Sequence, residues 1–268
     1  MGLQPDIANH FALDGKVAVI TGGGSGMGQE AARIFALAGA RVLVADIDQD
    51  GLAVTCSKVR AASGDVISHR VDVARREEVE ALADAAVADA GRLDVWINCA
   101  GISFLHSILE TKQEEAEKTV AVNMMGPYWG CMAAGRIMRE KGRGSIINVS
   151  SAGGSKPVPS LAVYGMTKAA VNSLTWTSAM EFGSFGVRVN AIAPGWIDTP
   201  MVSKLYRDSS GRIDPALRDK VYGEMASHSP LGLVGQASDI AFALLYLASD
   251  ASRFVTGQVL RVNGGESM

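Results

Sequence analysis

Seven short strand-like runs punctuate the chain, most of them closing on glycine, a carboxylate or a small polar residue and the sixth on Pro194-Gly195. They are Lys16–Thr21, Arg41–Asp46, Val66–Val71, Asp94–Asn98, Ser145–Val149, Val187–Ile192 and Gln258–Val262. Short aliphatic runs, clearest at Lys16–Thr21 and Arg41–Asp46, are the mark of strands buried on both faces. Gln29–Leu37, Ala74–Ala90, Glu114–Glu140 and Ala162–Phe182 lie between them, with spacing that predicts helices. Gly126-Pro127 interrupts the third, and Pro127 is expected to kink it or mark where two segments meet. Strands alternating with helices specify an α/β fold, a parallel sheet covered on both faces. No linker, repeat or composition shift divides the chain, so residues 1–268 read as one domain. Met201–Gln236 is the one long stretch between the last two strands, and residues 200–236 are expected to form a substrate lid.

The first run ends directly in Gly22, Gly23, Gly24, Gly26 and Gly28, which lead into a helix. Strand, glycine turn and helix form the context of a dinucleotide site: the pyrophosphate reaches the bare backbone, and the helix N-terminus offers free N–H groups. The second run ends at Asp46, eighteen residues after Gly28. A carboxylate there binds the adenosine ribose hydroxyls and repels a 2′-phosphate, and Ile47 brings no guanidinium to hold one. The expected cofactor is therefore NAD rather than NADP. Asp46 is also readable as a helix cap, although Asp48 and Asp50 lie nearer the next helix.

Tyr164 and Lys168 stand four residues apart, on one face of a helix. A phenol with a pKa near 10 is a poor base at neutral pH, and an ammonium at about 4 Å in a cleft lowers that pKa by roughly three units. The alternative is a core aromatic beside a solvated lysine. Strand ends are where such sheets hold ligands, and Gly22, Asp46, Asp72, Asn98, Ser151 and Pro194 all lie at strand ends.

Composition narrows the classes further. A net charge of -3 and 48% hydrophobic residues give no electrostatic reason to expect nucleic acid or an anionic membrane as a partner. Cys56, Cys99 and Cys131 have no metal-ligand spacing, and no histidine has a partner at such spacing, so no metal is expected. Without a basic, apolar leader or a long apolar span, a cytoplasmic chain acting on a small molecule is expected.

Together these motifs resemble the classical short-chain dehydrogenase/reductase family from about Phe11 to Gly265. Thr21-Gly22-x-x-x-Gly26-x-Gly28 resembles its cofactor loop, Asn98-x-Ala100-Gly101 its mid-chain turn, and Ser151, Tyr164 and Lys168 its catalytic set. Pro194-Gly195 with Thr199 resembles the segment that holds the nicotinamide carboxamide, and Val262-Asn263-Gly264-Gly265 the family ending. One departure is Cys99, where the family usually has a second asparagine. It reads as a buried small residue rather than a reactive thiol.

The resemblance implies a Rossmann fold, a doubly wound seven-stranded parallel sheet of order 3-2-1-4-5-6-7. It implies an NAD-dependent oxidoreductase acting on a secondary alcohol or ketone, such as a small alcohol, sugar or polyol. A 3-oxoacyl-thioester reductase shares these motifs, and a non-catalytic dinucleotide-binding protein is the rival from another class. In this resemblance Tyr164 is the proton carrier, Ser151 donates to the substrate oxygen, Lys168 tunes Tyr164 and binds ribose, and Asn123 belongs to a proton path. Ser151 is equally readable as a strand cap and Asn123 as a helix-bend residue. Cofactor contacts are implied for Gly22, Ser25, Gly26, Met27, Gly28, Asp46, Ile47, Asp72, Val73, Asn98, Ala100, Gly101, Tyr164, Lys168, Pro194, Gly195, Ile197 and Thr199. Candidate pocket residues are Ser103, Phe104, Gly153, Gly154, Trp196 and Tyr206. A homotetramer is implied, and the apolar positions Val171, Leu174 and Met180 face either a partner copy or the sheet. The basic residues from Arg136 to Arg143 are readable as an acyl-carrier docking site or as a helix C-terminus favouring its dipole.

Overall fold

The computed structural model describes residues 4–208 and 210–268; residues 1–3, and Ser209 within the expected lid, lie outside the described residues. Among the described residues nine strands form: β1 (Val17–Thr21), β2 (Arg41–Asp46), β3 (Val66–Arg70), β4 (Val95–Asn98), β5 (Gly144–Val149), β6 (Val187–Pro194), β7 (Ile197–Asp198), β8 (Gly235–Gln236) and β9 (Val259–Val262). Seven of them make one parallel sheet of order β3-β2-β1-β4-β5-β6-β9. The expected seventh strand is thus β9, because the two-residue strands β7 and β8 pair with each other between β6 and β9. Their pairing closes the base of the segment expected to be a lid. β6 runs to Pro194, two residues beyond its apolar run, because β9 pairs with it as far as Pro194↔Val262.

Side-chain alternation splits the sheet residues between two cores. On one face Ala18 and Ile20 of β1 pack with Ala31, Phe35, Ile240 and Leu244, from the helices Gly26–Leu37 and Ala237–Ala248. On the other, Val17 and Val19 pack with Leu82, Ala83, Ala134 and Met138, from the helices Arg76–Ala90 and Gly126–Lys141. Both faces being covered, the central strands are apolar at almost every position, as the pattern predicts. The edge strand β3 alone alternates buried and open positions.

Three local features differ from expectation. The N-terminal lead-in forms a helix, Pro5–Phe11, with Asp6 in its first turn and His10 in its last, each placed favourably for the helix dipole. The break in Glu114–Glu140 is a π-helical turn, Ala121–Met125, between the helices Gln113–Val120 and Gly126–Lys141. The Gly126 N–H reaches back to Ala121 O, and the distortion ends immediately before Pro127, which has no N–H to donate. Finally, Val171 and Met180 do not share a face of the helix Ala162–Phe182: Val171 is buried against the sheet, whereas Met180 is 85% exposed together with Met166 and Trp176. Leu174 packs against the core with Val171's side of the helix.

Candidate active site

Two adjoining cavities open at the C-terminal ends of the strands. The first is a cleft of about 440 Å³ beneath the turn that links β1 to the helix Gly26–Leu37. Gly22 has φ +70° and a Cβ there would lie 2.6 Å from Ala100 N, so only glycine lets the turns after β1 and β4 approach this closely. Thr21 links the same turns, its Oγ accepting from Cys99 N at 3.2 Å and donating to Ile97 O at 3.2 Å. Across the cleft, a Cβ at Gly26 would come within 3.3 Å of the Thr199 side chain, closing the strip between them. Ser25 is the N-cap but makes no side-chain cap bond, so the first N–H groups of the helix remain available to a ligand. A pyrophosphate fits this cradle on those grounds. Asp46, at the end of β2, accepts from Gly24 N at 2.9 Å and Asp48 N at 3.0 Å, which aims the carboxylate at the glycine turn. Asp48, not Asp46, caps the next helix.

The second cavity, about 150 Å³, lies beside the helix Ala162–Phe182 and holds Ser151, Tyr164 and Lys168 in one wall. Lys168 is 4% exposed and donates to Val149 O at 2.8 Å, so it is not the solvated lysine of the alternative reading. Glycines make this possible: a Cβ at Gly154 would lie 2.8 Å from the Lys168 carbonyl carbon, so the turn after β5 sits flush on the helix. Ser151 accepts from Gly153 N at 3.1 Å and also reaches Tyr164. Both its expected roles, turn cap and partner of the site, are therefore compatible.

The electrostatics run opposite to the simplest expectation. Burial raises the Tyr164 phenol above its usual range, with the Ser151 hydrogen bond opposing it, and the Lys168 Nζ stands 5.5 Å from the ring centroid. Burial also brings the Lys168 ammonium down to about 8. In this chain by itself, then, desolvation outweighs the Ser151 hydrogen bond at the phenol. Cys99 lines both cavities instead of being buried, and loss of hydration pushes its thiol up to about 12, which leaves it unreactive.

Residues 22–267 match the family described as Enoyl-(Acyl carrier protein) reductase. Momilactone A synthase of Oryza sativa subsp. japonica is 41% identical over 259 residues, 96% of this chain and 91% of that protein. The chain belongs to the short-chain dehydrogenase/reductase family. Among solved structures, a gluconate 5-dehydrogenase from Burkholderia cenocepacia J2315, in complex with NADP and tartrate, superimposes with TM-score 0.87 at 31% identity, covering 97% of this chain and 98% of that one. A 7α-hydroxysteroid dehydrogenase complexed with NADH and 7-oxo glycochenodeoxycholic acid also gives 0.87, at 32% identity and 96% coverage of each chain.

The short-chain dehydrogenase motifs converge, with five displacements. Gly22, Ser25, Gly26, Met27, Gly28, Asp46, Ile47, Asp72, Val73, Ala100, Gly101 and Thr199 all line the larger cleft. Ser103, Gly153, Pro194, Gly195, Trp196 and Ile197 line the smaller pocket with the Ser151, Tyr164 and Lys168 side chains. Asn98 faces neither: it accepts from Trp96 Nε1 at 2.7 Å and donates to Asn148 Oδ1 at 2.8 Å, tying β4 to β5 inside the core. Asn123 is buried in the π turn, donating to Ile102 O at 2.8 Å and accepting from Ile102 N at 2.9 Å. Phe104 points into a separate small cavity with His106 and Glu115. Gly154 is a packing glycine. Tyr206 is buried and donates to Asp198 at 3.0 Å, its phenol raised by burial and then by that carboxylate, so it braces the segment after β7 rather than lining the pocket. Residues missed from the sequence include Met201, Val202 and Leu205, and the charged pair Lys156 and Glu266. The first three carried a signal in their apolar character. Lys156 and Glu266, 110 residues apart, carried none.

Proposed function

We propose that this protein transfers a hydride between NAD(H) and the carbinol or carbonyl carbon of a secondary alcohol or ketone on a small molecule. The convergence of Ser151, Tyr164 and the buried Lys168 beside a glycine-walled cleft carries this reading. A scaffold or redox sensor has no use for those three side chains together. Gly22, Ser25, Gly26, Met27 and Gly28 would hold the pyrophosphate, Asp46 and Ile47 the adenosine ribose, and Asp72 and Val73 the adenine. Ala100, Gly101, Pro194, Gly195, Ile197 and Thr199 would flank the nicotinamide, while Asn98 supports that wall through the sheet. Bound nicotinamide supplies the hydride acceptor or donor and, when oxidised, a positive ring.

Tyr164 Oη takes the hydroxyl proton during oxidation and returns it during reduction. Ser151 donates a hydrogen bond to the substrate oxygen, where negative charge develops. Lys168 binds the nicotinamide ribose and passes the proton on. Asn123 stands with it around Gly101: a Cβ there would be 3.5 Å from Asn123 Oδ1 and 3.7 Å from Lys168 Nζ. Residues 200–236 act as lid within one domain spanning the chain. The exposed stripe Met166, Trp176 and Met180 supports a homotetramer, and a cytoplasmic location fits a chain whose described helices include none long and apolar enough to cross a membrane.

Solved relatives carry NADP or NADH, so the choice here rests on Asp46. NADH should bind at least about tenfold more tightly than NADPH in a fluorescence titration, from charge repulsion worth some 1.4 kcal/mol or more; equal affinities would remove Asp46 from the reading. The family description favours a second reading, reduction of an acyl thioester on a carrier protein. Against carrier docking at the basic stretch, Arg143 and Ser151 lie at opposite ends of β5, about 20 Å apart for six residues. Arg136 pairs with Asp84, and Arg139 and Lys141 sit in the last turn of their helix. A screen of secondary alcohols, polyols and 3-hydroxyacyl thioesters with NAD+ separates the two readings.

A further inference from the structure

The pocket beside Tyr164 is walled mainly by aliphatic side chains, among them Leu105, Val158, Leu161, Val202 and Leu205. Set into that wall is a pair of opposite charges that hydride transfer does not use. Lys156 Nζ lies 2.6 Å from Glu266 Oε1, with the Glu266 side chain only 6% exposed. Lys156 is fixed by the turn after β5, its N–H donating to Ala152 O at 3.1 Å. Glu266 arrives from beyond β9, its N–H donating to Asn263 O at 3.1 Å. Its second oxygen covers Gly195, where a Cβ would lie 2.7 Å away. Both side chains line the same pocket as Ser151 and Tyr164.

Desolvating two charges in an aliphatic wall costs free energy that their attraction only partly offsets. A ligand group bonding to both partners recovers some of it. The ammonium carries three donors, of which Glu266 takes one among the described residues, and the carboxylate only accepts. A hydroxyl is the smallest neutral group that accepts from the first and donates to the second through a single atom. A ligand carboxylate would face Glu266 and a ligand ammonium would face Lys156, each a like-charge contact away from bulk water.

We propose that Lys156 and Glu266 form a second polar subsite selecting a substrate whose apolar, aliphatic or alicyclic body bears a hydroxyl away from the reacting carbon. The substrate class is thus a diol or hydroxy ketone. This rests on the hydride-transfer reading above, and narrows its substrate.

The test compares kcat/KM for a cyclohexanediol with opposed hydroxyls, for cyclohexanol and for the matching hydroxycyclohexane carboxylate, using wild type, Lys156→Met and Glu266→Gln with NAD+. The wild type should prefer the diol over cyclohexanol by about tenfold or more, beyond the factor of about two for its two equivalent hydroxyls. It should use the carboxylate worse than cyclohexanol. In both variants the diol-to-cyclohexanol ratio should fall toward about two. A ratio that survives in both variants while the rates fall together would mark the pair as a strap for the chain's end and overturn the proposal. So would a wild type indifferent to the second hydroxyl, or one that prefers the carboxylate. Failure of wild type to oxidise any secondary alcohol with either dinucleotide is a separate result: it removes the hydride-transfer reading, and this inference with it.

Discussion

The two cavities at the strand ends are built on different principles. The larger cleft is formed by turns that directly continue β1, β2 and β4, so strand register sets the positions of Gly22, Asp46 and Ala100 to within a hydrogen bond. Its Gly22 and Gly28 are there because neighbouring backbone leaves no room for a Cβ. The smaller pocket is bounded on one side by β5 and the helix carrying Tyr164, and on the other by Met201, Val202, Leu205 and Glu266, which approach from far along the sequence. Its glycine at Gly153 has space around it, a Cβ there lying 3.5 Å from Ser151 Oγ. The cleft is thus held chiefly by backbone geometry, whereas the far wall of the pocket is held by side-chain packing.

The strongest challenge to this contrast is at Tyr164, in the wall of the smaller pocket. Tyr164→Phe keeps the ring and removes the proton carrier, so turnover should fall about a thousandfold or more while NADH affinity is kept; near-normal turnover would dismantle the proposed chemistry. Gly22→Ala should destabilise the fold by about 3 kcal/mol, combining a left-handed backbone with a clash against Ala100, as measured by urea unfolding. A mild effect there would mean the turns are not in fact locked together.

Lys168→Met sharpens the same point through pH. Between about 8 and 10.5 the native amine has lost its proton while the unfolded amine still holds one. The unfolded state binds more protons in that window, so wild-type stability rises with pH there, by up to about 3 kcal/mol relative to the variant. Parallel stability curves for the two proteins would show that Lys168 is not desolvated. Gly153→Ala, on the loosely packed side, should change stability by less than about 1 kcal/mol; a loss as large as that at Gly22 would erase the distinction between the cavities.

Legibility followed the same division. The strand ends could be read because an aliphatic run that stops at Gly22, Asp46 or Ser151 reports its own boundary. The exchange of roles at Asn98 and Tyr206 could not, because each is a polar or aromatic residue whose direction depends on a partner elsewhere: Asn148 and Asp198 in turn. The distortion near Asn123 was visible through Pro127, but its form as a π turn gripping Ile102 was not.

Local pattern by itself therefore determined the sheet, the glycine cradle, the acid at the end of β2 and the pairing of Tyr164 with Lys168, because period and spacing act within a few residues of chain. Tertiary structure decided how those parts behave. Burial, a property of the whole packed molecule, raised the phenol and lowered the ammonium where spacing alone predicts the reverse for the phenol. It also brought Glu266 against Lys156, since contacts across 110 residues arise only when the sheet is complete.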